Sequence, residues 1–264
     1  MVSFVIVSRN TLHLLTDCMH SLYADPEVAR CQIIVVDNAS SDGSVEMIAR
    51  EFPQVQLIRN SVNVGFARAN NQGIRASQGH YVLLLNSDTI VPAGALSALV
   101  QFMDDHPDAG ACGPRLARAD GRAQPFAFGS DPTLAYLLAR GWNHLVVRRS
   151  LHNWETHNVQ LVDWISGAAL LARRDALERV GGFDENFFMY FEDNDLCLRL
   201  RRAGWRVFYN PTVTITHLGG ASLSQSTLRT RWYDASLRYF YSKHYSRLAR
   251  VALELMLPFY RRIN

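Results

Sequence analysis

The sequence lacks the signatures of several common protein classes. It has a single lysine, Lys243, no GxGxxG after its first apolar run and no GxxxxGK[ST] anywhere. A classical dinucleotide-binding fold and a P-loop are therefore excluded. No apolar run reaches the eighteen or so residues that a membrane-spanning helix needs, and no leader-like segment precedes the first strand. We expect a cytoplasmic protein.

Cysteine is scarce and scattered. The four cysteines lie in apolar runs without CxxC spacing, at Cys18, Cys31, Cys112 and Cys197. We expect buried free thiols rather than disulfides or a zinc site. With 48% hydrophobic and 19% charged residues among 264, the chain can bury the core of one large or two small domains.

Short β-rich runs alternate with amphipathic stretches in the first half. The predicted strands are Phe4–Val7, Ile33–Val36, Val55–Ile58 and Tyr81–Leu85, and the predicted helices are Leu12–Tyr23, Ser44–Phe52, Ala67–Ala76 and Ala95–His106. This rhythm predicts an α/β fold with a mostly parallel sheet flanked by helices. Beyond Pro114 we expect a partly irregular insertion at 116–159, then strands at 160–165, 168–172, 207–209 and 213–215 and a helix at 174–180.

Polar clusters follow each of the first four strands. Since ligands bind at the carboxyl ends of parallel strands, these clusters should meet in one crevice. Asp37 is placed to accept the ring N–H of a pyrimidine base, and the neighbouring polar groups that can supply matching hydrogen bonds are Ser8, Asn10, Asn38, Asn63 and Asn70.

Two further side chains point to a divalent cation. Asp88 follows the fourth strand, and Mg²⁺ or Mn²⁺ commonly takes only one or two protein carboxylates when a diphosphate completes its shell. His217 follows a predicted strand and offers a nitrogen ligand or a contact to the diphosphate, although a histidine near a glycine turn is often structural.

An acidic cluster stands before an amphipathic basic helix. Glu192, Asp193 and Asp195 lie within four positions, in the sequence EDND, and the apolar pattern that follows predicts that they begin a helix. Carboxylates this close repel one another, which is typical of an active site. A carboxylate at a helix N-terminus is held in place and kept ionised, as a general base must be.

The C-terminal segment is basic and aromatic. Between Arg229 and Arg262, eight Arg and Lys residues accompany only Asp234 and Glu254. The pattern fits a helix on an anionic membrane surface and equally a helix packed on its own domain. No nucleic-acid-binding motif accompanies the charge.

Six motifs occur in a fixed order along the chain: VIVSRN, VVDNASSDGS, NVGFARANNQG, LLLNSDT, the long segment from SGAALLARRD to LRLRRAGW, and THLGG. This ordered set resembles family 2 glycosyltransferases of GT-A fold, and is similar to bacterial rhamnosyltransferases of cell-surface polysaccharide synthesis. The resemblance implies a nucleotide-binding half at 1–114, an acceptor-binding half at 115–222 and a helical extension at 223–264. It also implies inverting transfer of a sugar from a nucleotide-diphosphate donor to a glycan or lipid-linked acceptor, with a divalent metal.

The resemblance also assigns roles by position. It places Asp37 at the base, Asn10 and the segment Asn63–Asn70 with Gly65 along the nucleotide, Asp88 at the metal-diphosphate and Asp193 as catalytic base. Gly167 and Glu192 fall on the acceptor side, while Asp195 is expected to pair with Arg199 at helical spacing. Asn86 stands where the family's Asp-x-Asp metal motif has its first Asp, so one expected ligand is neutral.

Several alternatives stay open. dTDP-rhamnose is the favoured donor, but UDP-hexose and UDP-galactofuranose transferases share most of these motifs. A non-catalytic nucleotide-sugar-binding subunit would keep the fold, whereas a sugar nucleotidyltransferase would need a glycine-rich loop and an N-terminal lysine that the chain lacks. A peripheral position at the inner face of the cell membrane and a homodimer are further expectations that the sequence leaves undecided.

Overall fold

The computed structural model describes residues 1–148, 150–219 and 226–263. The expected boundary between residues 222 and 223 lies outside the described residues, as does Gly220 of the THLGG segment. The strands are β1 Val2–Ser8, β2 Gln32–Asp37, β3 Gln56–Arg59, β4 Tyr81–Asn86, β5 Thr89–Ile90, β6 Ala109–Ala117, β7 Phe128–Gly129, β8 Gln160–Leu161, β9 Trp164–Ile165, β10 Ala169–Arg173 and β11 Arg206–His217. The helices are α1 Leu12–Tyr23, α2 Ser44–Glu51, α3 Phe66–Ala76, α4 Ala95–Asp105, α5 Leu134–Trp142, α6 Arg174–Val180, α7 Glu192–Arg202, α8 Ser226–His244 and α9 Arg247–Ile263.

The described residues form a central sheet of nine strands with the order β3-β2-β1-β4-β10-β6-β11-β5, and β8 pairs with β11 beside that path. Strands β1 to β4, β6 and β11 run in one direction, and β5, β8 and β10 run against them. The mostly parallel sheet predicted from the sequence is therefore confirmed. The strands β7 and β9 form a separate antiparallel pair.

Consecutive buried side chains explain why the central strands lie inside the molecule. In β1, Phe4, Val5 and Ile6 are all fully buried, and the same holds for residues 82–84 of β4. Successive residues of a strand point to opposite faces, so both faces of this part of the sheet are covered. Helices α1 and α3 contact β5 and β1 respectively, and α4 contacts β11.

Two of the strand predictions beyond residue 114 were wrong. The runs 207–209 and 213–215 belong to one strand, β11, whose register against β6 shifts between Asn210 and Thr214. Pro211 lacks an N–H, and Asn210 Oδ1 accepts a hydrogen bond from Thr212 N at 3.2 Å, so this bend resembles a turn in sequence. The run 160–165 is two short strands, and the stretch 116–159 contains β7, α5 and a π-helical turn at Asn143–Val147.

Helix α8 packs on the rest of the chain. Leu237, Phe240 and Tyr241 are fully buried, and the Tyr241 hydroxyl donates to Pro132 O at 2.6 Å. Ser236 Oγ donates to Met189 O at 2.7 Å. Of the two interpretations of the C-terminal segment, packing on its own domain therefore holds for α8. Among the described helices, none is long and apolar enough to cross a membrane.

Candidate active site

A cavity of about 280 Å³ opens at the carboxyl end of β1 and β4, between the two halves of the sheet. Eight of the residues predicted from the sequence line it, namely Asn38, Asn63, Asn86, Asp88, Gly167, Glu192, Asp193 and His217. Residues from both halves of the sequence therefore meet at one place. The predicted residues outside its wall are Ser8, Asn10, Asp37, Gly65 and Asn70.

Helix α7 presents Asp193 to the cavity. The helix begins directly after Tyr190 and Phe191, which both adopt the left-handed region with φ of 70° and 63°. Two adjacent non-glycine residues in that region store strain, a feature that clusters at functional sites. Asp193 Oδ2 accepts a hydrogen bond from Gly167 N at 3.1 Å, and Oδ1 accepts one from Asn194 N at 2.8 Å. The carboxylate is thus fixed by backbone donors.

The carboxyl groups of Glu192 and Asp193 differ in how strongly their pKa values are raised. Burial raises the pKa of Glu192 well above its ordinary value, and the neighbouring charge of Asp193 raises it further. Burial also raises the pKa of Asp193, but the N–H groups of Gly167 and Asn194 oppose this rise. Glu192 Oε2 is buried without a hydrogen-bond partner. The pKa of Glu192 is therefore raised more strongly than that of Asp193, whose carboxylate accepts hydrogen bonds from two backbone N–H groups.

Asp88 and His217 form the second polar centre of the cavity. Asp88 Oδ1 lies 3.0 Å from His217 Nε2, and Asn86 Nδ2 lies 3.2 Å from the same nitrogen. The loop after β4 and the end of β11 come together because Thr89 pairs with His217 across β5 and β11. On the other side of the ring, Gln124 Oε1 lies 2.7 Å from Nδ1.

This arrangement fits a divalent cation that binds together with a ligand. Nδ1 of His217 faces Gln124 Oε1 and Nε2 faces the Asp88 carboxylate, so a cation bound between them would take the Asp88 oxygen and Nε2 as ligands. Across residues 1–148, 150–219 and 226–263, no group of three or more His, Cys, Asp and Glu side chains is arranged to hold a metal ion. A cation bound here would therefore take its remaining ligands from water or from phosphate oxygens.

The predicted base-binding aspartate lies just behind the cavity wall. Asp37 Oδ2 accepts from Ser40 N at 3.1 Å, whereas Oδ1 is buried with no hydrogen-bond partner. An unpaired buried acceptor costs free energy, which a donor from a ligand would recover. Next to it, Asn38 uses its whole amide to hold the loop after β3, donating to Asn63 Oδ1 at 2.8 Å and accepting from Val64 N at 2.9 Å.

The other four predicted residues support the wall rather than line it. Ser8 Oγ lies 2.9 Å from Thr11 Oγ1, Asn10 Oδ1 accepts from Ser41 N at 2.8 Å, and Asn70 Nδ2 donates to Phe66 O at 3.0 Å. Gly65 has φ +87°, and a Cβ there would lie 2.8 Å from Phe188 O. Glycine therefore lets the loop before α3 approach the aromatic segment before α7.

Several residues of the site were not predicted, among them Arg229, Trp232 and Gln124. Arg229 and Trp232 of α8 line the cavity, and the Trp232 ring packs against Phe188 with centroids 5.0 Å apart. The sequence showed their basic and aromatic character but not that α8 folds back onto the cavity. Gln124, which orients His217, lies in a stretch without hydrophobic period and carried no signal.

Solved structures share this fold. A Pyrobaculum calidifontis mannosyltransferase, PcManGT, solved with GDP-Man and Mn²⁺, superposes with a TM-score of 0.60 at 20% identity, covering 92% of this chain and 63% of that one. GalNAc-T7, solved with UDP, GalNAc and Mn²⁺, superposes with a TM-score of 0.63 at 16% identity, covering 82% of this chain and 43% of that one. The fold is thus of the glycosyltransferase GT-A type, as expected.

Residues 3–158 match the profile of Glycosyl transferase family 2, and residues 81–259 match that of Glycosyl transferase family group 2. The chain belongs to glycosyl transferase family 2. The N-acetylglucosaminyl-diphospho-decaprenol L-rhamnosyltransferase of Mycobacterium tuberculosis H37Rv is 34% identical over 207 residues, which are 70% of this chain and 66% of that protein. Rhamnosyltransferase WbbL of Escherichia coli K12 is 28% identical over 229 residues, 82% of this chain and 83% of the relative.

Proposed function

We propose that the protein is an inverting glycosyltransferase in which Asp193 is the catalytic base and Asp88 with His217 holds a metal-bound donor diphosphate. The observation that carries the proposal is that the Asp193 carboxylate and the Asp88–His217 pair line one cavity. Family membership supports the same reaction. A binding subunit without catalysis would have no use for a carboxylate fixed in this way.

Each of the cavity residues has its own role in the transfer reaction. Asp193 removes the proton of an acceptor hydroxyl as that oxygen attacks the anomeric carbon, so the base lies on the side opposite the leaving diphosphate. Arg229 and Arg9 line the cavity and offer positive charge to that diphosphate. A bound Mg²⁺ or Mn²⁺ would offset the charge that grows on the leaving group. One displacement inverts the anomeric centre.

We infer the donor and the acceptor from the names of two relatives. Two are named rhamnosyltransferases, and the name of one describes a diphospho-decaprenol acceptor. We therefore infer that this chain transfers rhamnose from dTDP-rhamnose to a lipid-linked or polysaccharide acceptor. UDP-hexose and UDP-galactofuranose are the alternative donors. A lipid-linked acceptor would bring the protein to the inner face of the cell membrane.

Thermal unfolding of the purified protein with nucleotide sugars tests this proposal. The ligands are dTDP-, UDP- and GDP-sugars, each with Mn²⁺, Mg²⁺ or a chelator. A ligand at about 100 times its dissociation constant adds ~2.7 kcal/mol of stability. We expect a metal-dependent rise in Tm with one pyrimidine donor, which Asp88→Asn should abolish and Asp120→Asn, at an exposed position, should leave intact. The absence of a shift with every donor would contradict the proposal.

A further inference from the structure

The acceptor half exposes a cluster of large apolar side chains. They belong to α5 and to the π-helical turn that follows it, and the exposed fractions are 60% for Leu138, 63% for Trp142, 55% for Leu145, 57% for Val146 and 47% for Val147. Exposed apolar clusters of this kind mark interaction sites, because water solvates them poorly. Tryptophan is also the side chain that prefers the boundary between water and an apolar phase.

Basic side chains accompany this cluster. A groove of about 480 Å³ beside it is lined by Phe126, Arg140, His144, Arg148, Ser150 and Trp154. The stretch 134–148 contains no aspartate or glutamate. The groove therefore presents cations and aromatic rings without a carboxylate, which suits a phosphate group next to an apolar surface.

Helix α9 packs against α5 and also carries exposed apolar side chains. Its outer side exposes Leu248 by 83%, Val251 by 55% and Leu255 by 71%, and spacings of three and four residues place these three on one helix face. Arg247 and Arg250 are exposed on the same helix. Two neighbouring helices thus combine exposed apolar side chains with arginine.

A short segment connects the groove to the active cavity. Phe126 lines the groove, and the next residue, Ala127, accepts a hydrogen bond through its carbonyl from Ser166 N at 2.9 Å. Ser166 lines the active cavity. On the other side of Phe126, Gln124 contacts His217. The surface therefore borders the acceptor side of the site.

We propose that α5, the π-helical turn and the outer side of α9 form a docking face for an anionic phospholipid bilayer, with headgroup phosphates at the groove. The docking face is defined by residues 138, 142, 144–148, 248, 251 and 255. Apolar side chains enter the interface while the arginines pair with lipid phosphate, and both contributions are needed for stable docking. The inference deepens the proposed action on a lipid-linked acceptor and rests on it, but its test measures lipid binding and not transfer.

Flotation of the full chain with vesicles tests the docking face. The vesicles contain phosphatidylcholine alone or phosphatidylcholine with phosphatidylglycerol. We expect binding only to the second kind, a loss of about tenfold in Leu145→Ser and of about fivefold in Arg148→Gln. The matched controls are Leu161→Ser, since Leu161 is 58% exposed on β8, and Arg179→Gln on α6, and both should bind as wild type.

Three outcomes would overturn the inference. They are the absence of binding to either vesicle, equal binding to both, and equal losses in the docking-face variants and their controls. A dimer that forms without lipid and that Leu145→Ser dissociates would assign the face to a second copy of the chain and also overturn it. Nucleotide-sugar binding, measured by thermal shift in the same variants, separates a failure of this inference from a failure of the proposed transfer reaction.

Discussion

Asp195 Oδ1 lies 2.6 Å from Nε2 of His244, and this contact ties the helix that presents the candidate base to the C-terminal helix that lines the same cavity. Lys243 Nζ lies 2.8 Å from the same oxygen, and Arg199 Nε pairs with Oδ2 at 2.7 Å, as the helical spacing predicted. Asp195 is fully buried. Its partners lower its pKa although burial raises it, so the carboxylate stays charged as an anchor for α8.

Replacement of His244 by alanine should loosen α8. Asp195 would lose one of its hydrogen-bond donors inside the protein, at a cost of about 1–3 kcal/mol. We expect chemical denaturation to show that loss in free energy of unfolding, together with weaker donor binding because α8 carries Arg229 and Trp232. His13→Ala, at an exposed position of α1, is the matched control. Equal stability of the two variants would contradict the claim that the contact between His244 and Asp195 holds α8 in place.

Asp184 makes a second set of contacts that hold α8 in place, and low pH should weaken them. Partial burial opposes its ionisation, but Lys243, Asn186 and Tyr239 lower the pKa of Asp184 to about 2. A lowered pKa contributes stability above the unfolded value of about 3.9 that is lost as the pH falls toward 2. The difference in unfolding free energy between wild type and Asp184→Asn should therefore shrink by about 1 kcal/mol over that window. A difference that does not change with pH would contradict this assignment.

Glu192→Gln should be tolerated, because glutamine has the shape of the protonated acid. We expect transfer to stay within about tenfold of wild type, whereas Glu192→Ala leaves a cavity and should reduce it further. A raised pKa in the folded state costs stability above the unfolded pKa of about 4.3. The Tm of Glu192→Gln should therefore rise relative to that of wild type as the pH increases from 4. A Tm difference that falls over this range would contradict the raised pKa of Glu192.

Arg229→Gln should weaken binding of a nucleotide diphosphate. Hydrogen bonds to charged groups contribute about 1.5–3 kcal/mol, which corresponds to at least about tenfold in the dissociation constant. Calorimetric titration with the nucleotide diphosphate measures this loss. Arg231→Gln, exposed on the same helix, is the control and should bind as wild type. Equal affinities for both variants would remove Arg229 from the donor site.

The sequence predicted the first four strands and several helices well because their signals are local. Leu12–Tyr23 and Arg174–Val180 were predicted to the residue, and the first four strands within two residues at each end. Continuous apolar runs and the polar residues that end them are properties of neighbouring positions. The meeting of Asp88 with Asp193 in one cavity followed from parallel topology together with the family resemblance.

The sequence could not predict contacts that depend on distant packing. Arg229 and Trp232 join the cavity because α8 is held in place by hydrogen bonds from its later turns to Pro132, Met189 and Asp195. Basic and aromatic residues in a helix fit a membrane surface as well as such packing, so pattern alone left both open. The same holds for β11, where Pro211 suggested a break that the sheet accommodates as a register shift.

The most direct test of the account is transfer by Asp193→Asn, measured with a radiolabelled donor nucleotide sugar and an acceptor extract. We predict a loss of about 10²–10⁴-fold in transfer, with the dissociation constant of the donor unchanged within about threefold, because asparagine keeps the shape of the carboxylate but cannot accept the proton. Asp120→Asn is the control and should transfer at the wild-type rate. Full activity in Asp193→Asn, or loss of donor binding in place of turnover, would contradict the assignment of Asp193 as the catalytic base.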